Sequence, residues 1–280
     1  MSQPVVTVEE PIALRERRRA PEAAGAAELR ATTPAQRLRE LEALIGRARA
    51  PGPPPHEDGA DAARARWVRL RAAQPCVAAP LRSRALRDWP SPIYDIHDTA
   101  LRSALDAVRL LLRQFDDQGM VIGGVAASIL GRPRLTRDID VTLLLDLSDL
   151  HVLVLAASAF NITPHIEESV ELARQSRVLL LQHEPTGIAI DLSLSSMPFD
   201  AEAIARASVR DLQGVKVRLP TPEDLIVYKA VSHRDQDLQD IYNIIQANPG
   251  LDVARVRFWA AQFAETLGMP ELWEDIARWL

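Results

Sequence analysis

The chain has 280 residues, 33 basic and 38 acidic side chains, a formal net charge of −5 and one cysteine. That length suits one good-sized domain with appendages or two small domains. The lone Cys76 excludes an intrachain disulfide, and with no His-x-x-x-His or paired-cysteine spacing a structural zinc site is not expected either. There is no apolar leader and no membrane-length apolar run, so a cytoplasmic protein without membrane contact is expected.

Residues 1–33 mix Pro, Ala and Glu around Arg15-Glu16-Arg17-Arg18-Arg19 without a sustained apolar period, which reads as disorder. From Pro34 to Ile45, Leu38, Leu41 and Leu44 recur at helical spacing and predict an amphipathic helix. Pro51-Gly52-Pro53-Pro54-Pro55 reads as a stiff linker. The Arg- and Ala-rich stretch from Ala62 to Ala73 predicts a second helix with Trp67 and Leu70 on one face, packing one edge on the domain rather than reaching for RNA. Charge is uneven: residues 1–88 carry a formal +5 and the remaining 192 residues −10. The acidic balance argues against a broad nucleic-acid groove and leaves room for a local basic pocket of Arg132, Arg134 and Arg137.

Beyond residue 92 the patterns predict a helix at 97–117, a strand at 120–122, a helix at 124–130, a strand at 138–145, helices at 149–160 and 165–175, a hairpin at 177–194, a helix at 200–206, a hairpin at 208–219, and helices to Leu280. Such mingling suits an α/β fold of the α+β kind, a mixed sheet with helices on its faces and a C-terminal helical part. The expected organisation is an N-terminal extension over 1–92, disordered with short helices, a core over 93–220 and a helical region over 221–280 that contributes to the site.

The most informative feature is Arg137-Asp138-Ile139-Asp140, which follows Gly123-Gly124. In a strand, Asp138 and Asp140 project from one face and Ile139 and Val141 from the other, giving two oxygen donors for a hard cation such as Mg²⁺. Glycines between the strand ending at Ile122 and the helix beginning at Val125 let backbone N–H groups approach a phosphate at a helix N-terminus. Asp191 stands within the apolar strand from Gly187 to Leu194, where a carboxylate calls for a cation or strong donors, or else caps a strand edge. Thr221, Pro222, Glu223 and Asp224 form a helix start, His233 and Arg234 its end, and Asn248-Pro249-Gly250 stops the next helix. Only Lys216 and Lys229 are lysines among the 33 basic residues. Against that arginine bias, Lys229 marks a place where a compact ammonium serves better than a guanidinium, for instance on a triphosphate.

These residues resemble the nucleotidyltransferase superfamily, and within it the AbiEii-type toxin-like branch that includes MenT-like toxins. The resemblance rests on Gly123-Gly124-Val125-Ala126, then Arg134-Leu135-Thr136-Arg137-Asp138-Ile139-Asp140, then Pro220-Thr221-Pro222-Glu223-Asp224-Leu225-Ile226-Val227-Tyr228-Lys229 and Arg234-Asp235-Gln236-Asp237-Leu238-Gln239-Asp240-Ile241. It covers about residues 95 to 250 and departs where the superfamily often has Gly-Ser in place of Gly123-Gly124, which removes a phosphate-binding hydroxyl.

The resemblance implies a nucleotidyltransferase core that moves an NMP from an NTP, its co-substrate, to an acceptor hydroxyl. It further implies two Mg²⁺ ions on Asp138, Asp140 and Asp191, with Asp191 also a candidate base. Gly123, Gly124, Arg137, Lys229 and Asp240 would contact or orient the nucleotide. The acceptor would be tRNA or protein, with a cognate antitoxin as partner. The alternatives are a small-molecule, antibiotic-type nucleotidyltransferase and an inactive nucleotide-binding module. His165, His183 and His233 are left outside the site.

Overall fold

The computed structural model describes residues 25–48, 59–77, 99–212 and 214–280. The N-terminal segment through residue 24, the 51–55 linker and the first two residues of the helix expected at 97–117 lie outside them. The described chain opens with helix α1 (25–31), α2 (Pro34–Ala48), α3 (Ala60–Ala73) and α4 (Ala100–Gln114). Next come β1 (Gly119–Val121), α5 (Gly123–Leu130), β2 (Asp138–Leu144), α6 (Leu150–Ser158), β3 (Ile162–Pro164), α7 (Ser169–Ser176), β4 (Val178–His183) and β5 (Ile188–Ser195). The rest is α8 (Pro198–Arg206), β6 (Ser208–Leu212), β7 (Val215–Leu219), α9 (Pro222–Ser232), α10 (Asp235–Ala247), α11 (Val253–Leu267) and α12 (Glu271–Ala277). The fold is thus the mixed α/β architecture that the element pattern predicts.

Five strands form one sheet in the order β1-β2-β5-β4-β3, and β6 and β7 form a separate hairpin. Within the sheet β2 and β5 are parallel, and the other neighbours are antiparallel. Strand alternation sorts the side chains into two layers. Ile139, Val141 and Leu143 of β2 and Ile190, Leu192 and Leu194 of β5 enter one large core, together with α4, α5 and α10 residues such as Leu105, Ile129 and Ile244. The opposite face carries Asp138, Asp140 and Thr142, then Asp191 and Ser193. It runs at Leu144 into a second core with Phe199, Val227, Trp259 and Phe263. The cleft therefore lies on the sheet face turned toward α3 and α9.

The α9 helix is buried nearly all round, from Asp224 to Val231, as a helix must be when other helices cover its sides. Its ends explain its length. Thr221 accepts from the Asp224 N–H at 3.2 Å, Pro222 occupies the first turn, and His233 closes the helix in the left-handed region at φ 48°. Asp224 is buried between Arg255 at 2.6 Å and Arg206 at 3.3 Å.

Two expectations change. The disorder expected over residues 1–33 does not extend through 25–31, which is helical. Ala26 and Leu29 are buried there, and Arg30 Nε donates to the Gln246 carbonyl at 2.9 Å. Two apolar residues on a single turn are too few to show a period, and the order comes from tertiary contacts. The short strand β3 was absent from the expected order. Its three residues pair with β4, and a strand that short leaves no alternation to read. Among the described residues no helix is long and apolar enough to cross a membrane.

Candidate active site

The register of β2 against β5 pairs Asp140 with Asp191 and Asp138 with Ala189. Adjacent strands are about 4.8 Å apart and successive same-face residues about 7 Å apart. Asp138, Asp140 and Asp191 therefore share one patch of the sheet, and all three line the same cleft. Thr142 and Ser193, each two residues further along, extend that patch inward and line the cleft as well.

Asp140 shows the strain of this crowding. Desolvation at the cleft floor, and after it the charges of Asp138 and Asp191, raise its carboxyl from 3.8 to about 7, against the opposing pull of Lys229 and the Gly124 N–H. Thr136 steadies Asp138 by donating its hydroxyl to Oδ1 at 3.0 Å. Among the described residues no three acidic, imidazole or thiol groups converge into a finished ligand set, and the orientation of Asp140 bears on this. Its Oδ2 accepts the Gly124 N–H at 3.3 Å, so the carboxylate lies over the glycine turn.

That turn requires glycine. Gly123 has φ +63°, and a Cβ there would stand 1.6 Å from Asp140 Oδ2. A Cβ on Gly124 would stand 2.4 Å from Thr136 Oγ1. The close approach brings an α5 backbone amide onto a carboxylate oxygen, a small version of anion binding at a helix N-terminus.

Lys229 reaches the cleft from α9 and is clamped at its root. Its Nζ lies 2.8 Å from Asp237 Oδ1 and 2.9 Å from Asp240 Oδ2. Burial alone would lower the ammonium, but Asp237 and Asp240 more than offset it and hold the pKa above its ordinary value. Asp240 also binds Arg134 through two contacts, Nε to Oδ1 at 2.8 Å and Nη2 to Oδ2 at 2.9 Å. Asp237 takes Arg234 Nε at 2.7 Å and the Arg234 backbone N–H at 3.2 Å. Burial would raise Asp237, and Lys229 with Arg234 drives it below the usual carboxylate range instead. Three cations around two anions leave this wall one positive charge, set opposite the three aspartates.

The expected residues separate into two groups. Asp138, Asp140, Asp191, Gly123, Gly124 and Lys229 line one cleft. Asp240 stands behind it, buried against Lys229 and Arg134. Arg137 is exposed and outside the cleft wall; of the three arginines expected to form a basic pocket there, Arg134, three residues earlier, lines it.

Sequence reading missed much of the far wall. Arg64, Trp67 and Arg71 come from α3, and Asp200 and Tyr228 sit beside them. Trp67 and Tyr228 stack at 5.3 Å between ring centroids. The Tyr228 hydroxyl donates to Asp200 Oδ1 at 2.6 Å, and Ser195 donates to Oδ2. Burial raises Asp200 to about 6, with Tyr228 and Arg71 opposing. Thr142 and Ser193 carried a usable signal, since polar residues two beyond Asp140 and Asp191 must share their face. The Trp67 and Leu70 face marked α3 as a packed helix, but nothing local placed it at the cleft.

No curated protein is significantly similar to the chain. A crystal structure of an antigenic nucleotidyltransferase-like protein from Paracoccidioides brasiliensis is similar at 16% identity and a TM-score of 0.35, over 64% of this chain and 92% of that one. Residues 104–268, more than half of the chain, match the family described as nucleotidyl transferase of unknown function (DUF2204), and the chain belongs to that family.

Proposed function

We propose that the protein is a metal-dependent nucleotidyltransferase that moves an NMP from an NTP to an acceptor hydroxyl. In this reading it acts as a toxin-type enzyme of the AbiEii-like branch on RNA or protein, in the cytoplasm, with a cognate antitoxin. The observation that carries the chemistry is the pairing of Asp140 with Asp191 across parallel strands, with Asp138 on the same face and the Gly123–Gly124 turn against Asp140.

The donor set fits a hard divalent cation. It is all oxygen, and burial, with the charges of Asp138 and Asp191 after it, raises Asp140 to about 7, a cost that a cation offsets. Held by Asp138, Asp140 and Asp191, Mg²⁺ supplies charge for the triphosphate and lowers the pKa of the acceptor hydroxyl. The Gly124 amide and the positive end of α5 seat phosphate oxygens. Lys229, with Arg134 and Arg234, sets a net positive wall for the charge that builds on the leaving group. The acceptor oxygen bonds to the α-phosphorus, the bridging bond to the β-phosphate breaks, pyrophosphate leaves, and the hydroxyl proton passes to Asp191.

A small cationic acceptor is the second reading, favoured by the formal −10 of the last 192 residues. The test is incubation of purified protein with each α-labelled NTP, Mg²⁺ and a cell extract, beside an Asp138→Ala/Asp140→Ala variant. The expected result is label moved into RNA or protein by the intact chain alone. Label in a small-molecule fraction would establish the second reading. Nucleotide binding without any transfer would sink the first reading and leave an inactive nucleotide-binding module or a small-molecule acceptor absent from the extract.

A further inference from the structure

We propose that Arg71 and Arg177 form a phosphate-binding recess on the acceptor side of the cleft, so that the acceptor carries a phosphate close to its reacting hydroxyl. The inference rests on the nucleotidyl-transfer reading and specifies its substrate.

Cations in the cleft wall differ in how far they are committed. Arg134, Lys229 and Arg234 are tied to Asp240 and Asp237, and Arg64 pairs with the exposed Asp61 at 3.2 Å. Among the described residues Arg71 has no carboxylate within ion-pair distance. Its Nη1 donates to the Ser176 carbonyl at 3.2 Å, and its Nε is fully buried without an acceptor. Burial lowers its pKa. Asp200 and Tyr228 oppose the shift, and the neighbouring Arg177 charge adds to it. Arg177 follows Ser176 directly, sits in the left-handed region at φ 58°, and also buries a guanidinium nitrogen, Nη1, without an acceptor.

Two like charges with buried, unaccepted N–H groups are costly alone and favourable around an anion. The nearest acid does not serve. Asp200 is already engaged by Tyr228 and Ser195. Planar forks of five donors match a phosphate bidentately, and phosphate is the anion that nucleotide and nucleic-acid substrates carry.

Position assigns the recess to the acceptor. The glycine turn follows β1 and Arg177 precedes β4, and the order β1-β2-β5-β4 puts β2 and β5, with Asp140 and Asp191, between them. Three strand spacings separate them by about 14 Å across the sheet, and the register adds a further offset along the strands. The recess therefore lies beyond Asp191, the candidate proton acceptor, on the side away from the triphosphate cradle. Arg71 belongs to α3, so the helical N-terminal segment takes part in choosing the acceptor.

The test is titration of the full chain with inorganic phosphate, followed by calorimetry, with and without saturating Mg²⁺ and a non-hydrolysable NTP. Phosphate is expected to bind in both conditions, and Arg71→Ala and Arg177→Ala to weaken it by about tenfold each, the loss of a charged hydrogen bond. Asp138→Asn should abolish nucleotide binding and leave phosphate binding unchanged. Arg71→Lys, which keeps the charge, should retain an intermediate affinity if Arg71→Ala misfolds. In transfer assays phosphate should compete with the acceptor and not with NTP. Phosphate displaced by the nucleotide, or bound equally by the wild type and both alanine variants, would overturn the proposal. Nucleotide that fails to bind while phosphate still does would instead refute the nucleotidyl-transfer reading.

Discussion

Replacing Asp140 with Asn should stabilise the metal-free protein while destroying its activity. The carboxyl is raised from 3.8 to about 7 in the folded state, and at 1.36 kcal/mol per unit its ionisation costs about 4 kcal/mol. Asp138 and Asp191 share that cost, so neutralising one member should return about 1–3 kcal/mol. The sign follows from proton binding. A raised carboxyl keeps its proton when folded after the unfolded chain has released it, so stability falls as pH rises from about 4 to about 7 and is level above. Asn retains an oxygen for the Gly124 N–H, which isolates the charge. Calorimetric melting in EDTA should therefore show the variant higher by about 3–8 °C at pH 8, with the gain shrinking toward zero near pH 4. Added Mg²⁺ should close the gap by stabilising the wild type more. A variant that melts at or below the wild type at pH 8 would refute the charge-crowding argument.

Three further outcomes follow from the same geometry. Lys229→Met leaves Asp237 and Asp240 buried with Arg234 and Arg134 as their cationic partners among the described residues, and should lower the urea-derived stability by about 3–5 kcal/mol; an unchanged midpoint would mean that Arg134 and Arg234 suffice. Gly123→Ala places a Cβ 1.6 Å from Asp140 Oδ2 and must move that carboxylate, so NMP transfer should drop about a hundredfold with the far-UV spectrum intact; near-normal transfer would show that Asp140 needs no fixed place. Asp140→Ala frees the Gly124 amide and removes an anion, so in EDTA it should bind inorganic triphosphate about tenfold tighter than the wild type. Equal affinities in that experiment would mean that Asp140 does not guard the turn.

How far the site was legible depends on whether a residue's place is set locally. Asp138 and Asp140 fall on one face because alternation in a strand is a local property, and the helix start at Thr221 and Pro222 is likewise written in four residues. The pairing of Asp191 with Asp140 is different. About fifty residues and several elements separate β2 from β5, and a parallel pairing leaves no turn to reveal its register. Lys229 was noticeable as a lysine in an arginine-rich chain, but its clamp depends on α9 and α10 meeting across the His233–Arg234 bend. That packing also decides that Arg134 faces the cleft, since it brings Asp240 against the Arg134 guanidinium. Arg71 was illegible altogether. The face carrying Trp67 and Leu70 was legible as the packed edge of its helix, and Leu70 is indeed fully buried and Trp67 lies against Tyr228, but nothing in the sequence said that this edge packs beside the cleft.

The second glycine, where the superfamily often has serine, has a reason in the structure. At Gly123 the positive φ and the 1.6 Å approach to Asp140 leave no room for any side chain, and at Gly124 a Cβ would meet the Thr136 hydroxyl that steadies Asp138. A serine at Gly124 would displace Thr136 and loosen Asp138 for the sake of one hydroxyl. This chain keeps its two metal-binding candidates packed against the turn and, in the proposed reading, would leave the phosphate contact to the backbone. The Gly124 amide then has two claimants, the Asp140 carboxylate and a phosphate oxygen, and a single N–H serves one of them fully. Whatever draws Asp140 toward Asp138 and Asp191 also releases that amide. If the turn binds phosphate as proposed, the carboxylate cluster and the phosphate site would be coupled through one hydrogen bond, and the glycine pair is what allows the turn and Asp140 to sit close enough for that coupling.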